Sequence, residues 1–469
     1  MLEVPEELGH ALSSTGQEHA FAYLERLEGR AHADLVRSLS QVDLAHMVEL
    51  GKLARTPPAS SAGHDLAPPE LFPLKRTPQQ ELAAGEAIAC GEELFAAGKV
   101  GFVLVAGGQA SRLGYDAPKG DFPVGPVTGR TLFEYHAHRL LAARRRYGMT
   151  PAWYVMTSPT NDAATREIFQ QNRHYGVNPE DVFFFSQEML PALDAKGRIL
   201  FATPESLFLA PNGHGGSLLA LKRSGALADM RARGIEEISY FQVDNPLVRP
   251  ADPLFAGLHA QAGCGMSSKV VKKIAAEEKV GVLGRIDGRL GCIEYSDLPE
   301  DLKTATDAQG LLSFRAGNIA VHMLRVDFVA ELTDEGLELP WHVARKRMSS
   351  AAPDGAITEC DGFKFETFVF DALGRSPQSV TLEVDRTLEF SSVKNAEGTD
   401  SPKSCRTDLG NMFARWVAAA GDEIPPVNEA GYPPIEIDPF FAETQAEFVA
   451  RTDRKPLRRK GGLVYESSE

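Results

Sequence analysis

The sequence predicts an α/β fold built on a doubly wound, mixed sheet, and three observations carry that reading. Apolar runs of strand length at 102–105, 152–157 (AWYVMT) and 181–187 (DVFFFSQ) alternate with helix-length amphipathic stretches at 131–147 and 162–174. Strand, helix, strand, helix, strand in that order implies parallel pairing through right-handed crossovers. Turn-forming residues follow the strands directly, most densely in GFVLVAGGQASRLGYDAPKG at 101–120. Ligands of such sheets bind at the carboxyl ends of the strands.

Taken in order, residues 5–53 show leucine and phenylalanine at helical spacing and nothing catalytic. Residues 55–78 are rich in Pro, Ser and Ala, including Pro57-Pro58 and Pro68-Pro69, and predict an irregular linker. A helix at 79–98 leads into the strand at 102–105. Later segments predict a helix at 217–233, a buried strand at 238–243, and strands at 267–273 and 280–295 with Asp287-Gly288 as a hairpin turn. Further strands are expected at 313–325, at 363–370 and in EFSSVKNAEG (389–398), with a helix at 408–420. The tail shows no clear periodicity. The expected division is a helical N-terminal region with its linker over 1–95, a catalytic domain over 96–378 and a smaller C-terminal domain over 379–469.

The 469 residues suffice for a large core, and a net charge of −15 argues against nucleic-acid or anionic-membrane partners. Five cysteines lie scattered with no metal-binding spacing, the pattern of reduced thiols in a cytoplasm. No run approaches membrane-spanning length. The chain reads as a soluble cytoplasmic protein.

Against that acidic background, cations placed beside glycines are informative. Gly107 and Gly108 follow a buried strand, where backbone amides without intervening Cβ atoms form an anion-binding nest. Arg112 offers a planar fork for phosphate oxygens and Lys119 a second, more mobile charge. The spacing is neither a dinucleotide fingerprint nor a Walker A loop, since no Ser or Thr follows Lys119. Asp244 follows the apolar run SYFQV, a position that suits a magnesium ligand; capping of the segment that starts near Ala251 is the lesser alternative.

GGQASRLGYDAPKG resembles the signature loop of the UTP-dependent sugar-1-phosphate uridylyltransferases, and most of all that of the eukaryotic-type UDP-N-acetylhexosamine pyrophosphorylases. Ala110-Ser111 stands where that family usually has Gly-Thr. Further motifs keep the family's order across roughly residues 90 to 410: FFFSQEMLP, PNGHGG, VDN, the Glu294-Tyr295 pair, GNIAVH, FKFETFVFD and FSSVKNAEG. The resemblance implies a Rossmann-like, nucleotidyltransferase-type catalytic domain. It implies that Val105, Ala106, Gly107, Gly108, Lys119, Gln187, Gly213, Asp244 and Lys364 bind the nucleotide. Gln187 would read uracil, which suits an amide that both donates and accepts. His214, Glu294, Tyr295, Asn318 and Lys394 would meet the sugar phosphate, Asp244 would hold Mg2+, and Arg112, Lys119 and Lys394 would carry catalysis.

The implied reaction joins UTP and a sugar 1-phosphate into a UDP-sugar and diphosphate, by a monomer or weak homo-oligomer. The attacking phosphate is already largely deprotonated near neutrality, with its second pKa near ~6, so no general base is required. N-acetylglucosamine 1-phosphate is the expected sugar. His214 keeps UTP–glucose-1-phosphate uridylyltransferase or a broad UDP-sugar pyrophosphorylase open, because glucose enzymes carry GHG in this turn where the acetamido enzymes carry Asn. A glycosyltransferase would want a DxD-type metal motif, and Asp244-Asn245-Pro246 lacks its second acid. A non-enzymatic nucleotide-sugar sensor would have lost Arg112, Lys119 or Asp244.

Overall fold

The computed structural model describes residues 4–56 and 64–467; part of the expected linker, including Pro57 and Pro58, lies outside the described residues. The chain forms two compact units from non-consecutive segments. One comprises residues 1–60, 187–217 and 338–369, and the other 61–186, 218–337 and 370–469.

In the first unit, helices Glu6–Ser14, Gly29–Ser40 and Leu44–Arg55 turn Leu12, Leu35, Leu39, Met47 and Leu50 inward. They share a core with Leu193, Phe201, Phe363 and Phe365. Tyr23 stacks on Phe201 with ring centroids 3.7 Å apart. Strands His342–Ala351 and Ile357–Glu366 pair antiparallel, and the second pairs with Leu193–Asp194.

The second unit is organised on a mixed sheet of ten strands among the described residues. In chain order these are β1 (Leu66–Ala67), β2 (Val100–Val105), β3 (Trp153–Thr157), β4 (Val182–Ser186) and β5 (Glu237–Gln242), then β6 (Met266–Lys272), β7 (Val282–Ile286), β8 (Arg289–Ile293), β9 (Ala316–Arg325) and β10 (Thr381–Val384). The central path runs β1-β7-β9-β5-β2-β3-β4; β6 joins β9 to β10, and β8 pairs with β7. Pairing is parallel through β5, β2, β3 and β4, as the strand–helix alternation predicts. Strands β2 and β3 are buried nearly throughout, which is why they read as continuous apolar runs rather than alternating ones. The Asp287-Gly288 hairpin forms as expected, with φ of 50° and 81° at its two central residues.

Three segments differ from expectation. The stretch 217–233 is two helices, Gly216–Arg223 and Ala226–Ala232, because the intervening Gly225 takes φ +86°. EFSSVKNAEG is not a strand: β10 and then a short helix at Arg386–Glu389 lead into it, and the rest is a loop. Its backbone groups are taken locally instead. The Ser391 amide donates to the Asn245 side chain, and the Lys394 and Asn395 amides donate to the Asp400 carbonyl. The strand expected at 363–370 is the end of the longer Ile357–Glu366 and stops where the Thr367 amide and carbonyl bond to Asn212 and Gly215. The tail, silent in the sequence, forms a small sheet in which Gly462–Tyr465 pairs with Ile435–Ile437 and Leu457–Arg459. Its strands are only three or four residues long, too short for a periodic signal.

The helices Pro78–Ala96 and Pro253–Gln261 cross at glycines. A Cβ at Gly257 would stand 1.7 Å from the Ala87 carbonyl oxygen, and one at Gly91 2.0 Å from that of Pro253. Gly257→Ala and Gly91→Ala are therefore expected to lower the unfolding free energy by about 1–3 kcal/mol through overpacking. Gly85→Ala on the same helix as Gly91, with nothing within 4 Å of its Cβ position, should be neutral or stabilising. Urea titration of the three variants checks this.

Candidate active site

Strands β2 and β5 run side by side in parallel, with Val105 opposite Gln242, and the Val243 amide bonds to the Val105 carbonyl at 3.1 Å. The loop beginning at Ala106 and the one beginning at Val243 therefore leave the sheet at one level. That places Lys119 Nζ 3.2 Å from Asp244 Oδ2, with the side chains 17% and 9% exposed. Burial alone would raise the Asp244 carboxyl. The charges of Lys394 and Lys119, with the Lys119 hydrogen bond, overcome it and hold the group below the ordinary carboxylate range. Lys394 is exposed, and it sits beside the aspartate because the Val393 amide donates to the Asp244 carbonyl at 2.9 Å.

The glycine loop closes on itself. The Lys119 amide donates to the Gly108 carbonyl at 3.1 Å, and that of Ala110 to the Ala117 carbonyl at 3.1 Å. Gly120 is fixed by packing, since a Cβ there would lie 2.1 Å from the Phe133 ring. Gly108 has nothing within 4 Å of its Cβ position, so protein packing does not demand a glycine there; that room lies open to a ligand. Arg112 is exposed and pairs with no carboxylate among the described residues.

Several supporting residues were not singled out in the sequence. Asn161, 1% exposed, donates to the carbonyls of Ala106 at 2.9 Å and Gly108 at 3.3 Å, while its own side-chain carbonyl accepts from the Ser158 amide. Its place in the loop after β3, beside β2 in the sheet, was the available signal. Arg139 donates twice to the Pro246 carbonyl, at 3.1 and 2.9 Å, and His136 Nε2–H donates to that of Val243 at 3.0 Å. Asn245 accepts from the Ser391 amide and donates to the Glu389 carbonyl, tying the segment that carries Lys394 to the aspartate turn.

Glu294 and Asn318 also come together in this unit. Asn318 donates its backbone amide to the Gly281 carbonyl at 2.9 Å, and a Cβ on Gly281 would be 3.5 Å from Glu294 Oε1. The register shifts by a bulge opposite Lys269 and Val270, with Ala320 at φ 53° and its amide bonded to Asn318 Oδ1. A bulge of this kind re-aims a side chain at a strand edge. Cys292 lies against Asn318, and burial followed by the Glu294 charge pushes its thiol up. Tyr295 is 43% exposed.

The remaining expected residues belong to the first unit. Gln187, the residue after β4, is 7% exposed. The PNGHGG turn packs on Thr367: a Cβ at Gly213, which has φ +79°, would meet the Thr367 carbonyl oxygen at 2.3 Å. His214 Nδ1 accepts the Val369 amide at 3.1 Å, and its ring centroid is 5.2 Å from that of Phe368. Lys364 Nζ lies 5.2 Å from the Phe208 ring centroid; burial and the neighbouring Lys346 lower its pKa.

A model of the UTP–glucose-1-phosphate uridylyltransferase family matches residues 73–411. The chain belongs to that family. Among its members, UDP-N-acetylglucosamine diphosphorylase 2 of Arabidopsis thaliana is 34% identical over 432 residues, covering 87% of this chain and 84% of the relative. The UDP-N-acetylglucosamine pyrophosphorylase of Saccharomyces cerevisiae is 33% identical, with 87% and 90% covered. The crystal structure of the uridine diphosphate N-acetylglucosamine pyrophosphorylase of Trypanosoma brucei, in complex with an inhibitor, superposes with a TM-score of 0.82 at 25% identity, covering 100% of this chain and 99% of that one.

His136 gives this uridylyltransferase-family turn a pH signature. Burial lowers its pKa from 6.5 to about 4, and its Nδ1 is buried without a partner among the described residues. Below about 6.5 the unfolded chain takes up a proton that the folded chain refuses until about 4, so this group costs stability as pH falls through that window. His136→Gln retains a donor for Val243. Its loss of unfolding free energy between pH 7 and pH 5 should be smaller than the wild type's by on the order of 1–2 kcal/mol. Equal losses in denaturant titrations at the two pH values would show that His136 is not the group refusing the proton.

Proposed function

We propose that the chain is a UTP:N-acetyl-α-D-glucosamine-1-phosphate uridylyltransferase, releasing diphosphate and UDP-N-acetylglucosamine. The observation that carries this reading is the Lys119–Asp244 pair under an open glycine loop, with the charge of Lys394 close by. The names of relatives similar over most of the chain support the acetamido sugar. The GHG turn alone does not favour glucose, because His214 Nδ1 accepts the Val369 amide and so braces the turn whichever sugar is bound.

The sugar phosphate oxygen attacks the α-phosphorus of UTP in line, and the bond to the bridging oxygen of the departing diphosphate breaks. Catalysis is positioning and charge neutralisation. Arg112 and Lys119, with the amides of Gly107 and Gly108 and the strand end at Val105 and Ala106, would hold the triphosphate. Lys394 would steer the sugar phosphate, and Glu294, Tyr295 and Asn318 would take its hydroxyls and acetamido group. Gln187, Gly213, His214 and Lys364 keep the roles that the family resemblance gives them.

The donor set at Asp244 suits Mg2+. A single buried carboxylate fits an ion whose other ligands are phosphate oxygens and water, and no cluster of three ligating side chains builds a dedicated cage among the described residues. Bound there, Mg2+ would neutralise charge across the triphosphate. The parallel β2–β5 core with its carboxyl-end loops supports a Rossmann-like reading of the sheet. No helix among the described residues is long and apolar enough to cross a membrane, and all five cysteines are free; both suit the cytoplasmic location we propose.

The test is magnesium-dependent diphosphate release from UTP with N-acetylglucosamine, N-acetylgalactosamine, glucose and galactose 1-phosphates. N-acetylglucosamine 1-phosphate should give the highest kcat/KM. A preference for glucose would overturn the sugar, and no release with any of the four would overturn the reaction. Lys119→Ala should lower kcat by roughly 100-fold or more. Asn161→Ala, which frees the loop without touching substrate, should lower kcat/KM by roughly 10-fold or more and the unfolding free energy by about 1–3 kcal/mol.

A further inference from the structure

We propose that the second unit carries a binding site for a small soluble polyphosphate in the groove formed by Arg285, Arg289 and Arg375. The groove encloses about 680 Å3, within the range of small-molecule sites, and shares no residue with the Lys119–Asp244 site. Three arginines and one acidic residue, Glu70, are among its lining residues, on a chain whose net charge is −15. An acidic protein that gathers arginines in a concavity concentrates positive potential where field lines focus.

The walls are held by contacts of their own. Arg285 and Arg289 flank the Asp287-Gly288 turn of the β7–β8 hairpin, and Arg285 Nη1 donates to the Gly288 carbonyl at 3.0 Å, drawing the guanidinium back over the turn. Neither arginine pairs with a carboxylate among the described residues. On the opposite wall the Ser376 hydroxyl accepts the amides of Gly265 and Met266 at 3.0 and 2.9 Å, which fixes the chain following Arg375. The Phe72 amide bonds to the Thr381 carbonyl at 2.8 Å, and the Glu383 amide to the Phe72 carbonyl at 3.0 Å, which fixes the segment carrying Glu70. Gln80 adds an amide from the Pro78–Ala96 helix.

Forked donors on two facing walls of an open groove match the geometry of phosphate oxygens more closely than that of a single carboxylate. The concavity suits a compact ligand rather than an extended peptide or a membrane surface. Polyphosphate chains, free or as part of a nucleotide, share that chemistry.

Calorimetric titration of the full-length protein with sodium tripolyphosphate tests the site. The wild type and a variant carrying Arg285→Gln, Arg289→Gln and Arg375→Gln are compared at low and at physiological salt. The variant should lose one equivalent of binding, or bind that equivalent at least about tenfold more weakly, and the wild-type affinity should fall with salt. Its diphosphate-forming activity without tripolyphosphate should remain within about twofold of wild type, since these arginines lie outside the substrate machinery. Glu70→Gln removes the opposing charge and should tighten binding, which a merely unfolded variant could not do. No binding to the wild type, unchanged stoichiometry and affinity in the triple variant, or weaker binding in Glu70→Gln would overturn the proposal.

Discussion

Parallel pairing of β2 with β5 is the constraint on which the rest of the second unit's site depends. Register places Val105 beside Gln242, so the glycine loop and the aspartate turn emerge together and Lys119 meets Asp244. Shifting either strand by one residue would turn every side chain on it to the other face and carry the loop ends apart. The pair is largely buried, and a buried carboxylate needs its cations close if it is to stay ionised. Lys119 and Lys394 meet that need, and both are the groups that a phosphate-bearing ligand would also attract.

The loops around that pair are held by side chains to which no ligand contact is assigned. Asn161 grips the carbonyls of Ala106 and Gly108, and His136 and Arg139 grip those of Val243 and Pro246. Behind Asn245 lies a fully buried ion pair network: Lys269, 0% exposed, sits 2.6 Å from Asp252 and 2.5 Å from Glu389. The Glu389 carbonyl accepts from Asn245, so the network anchors the segment that runs on to Lys394. A buried lysine with two carboxylates contributes little net stability against an apolar replacement, but removing one partner strands the others in a low dielectric. Its effect is to fix one geometry for a loop without regular structure.

Much of the second unit was legible because its strands are short, apolar and closed by glycines, and because parallel alternation leaves little topological choice. The Asp287-Gly288 hairpin needed only local chemistry, since a two-residue turn with both φ positive selects such a pair. Local chemistry misled at EFSSVKNAEG. Its β-branched and aromatic residues suit a strand, yet its amides bond to Asn245 and Asp400 rather than to a ladder. It misled again at 217–233, where the apolar pattern continues through Gly225 but the backbone does not. The bond from the Val369 amide to His214 Nδ1 spans 155 residues and left no local signal at all.

By itself the sequence determined the alternation of strands and helices from β2 to β4, the glycine loop with its two cations, the aspartate after β5, and the family whose motifs those residues match. These are local or order-dependent properties, written in spacing and residue type. Only the tertiary structure decided that residues 1–60, 187–217 and 338–369 close one compact unit, because compactness comes from contacts between segments far apart in the chain. It also decided that Asn161 and Asn245 hold the site's loops, and that Arg285, Arg289 and Arg375 face one groove. Hydrogen bonds and electrostatic fields act over ångströms in space, and the sequence separations of these groups carry no trace of those distances.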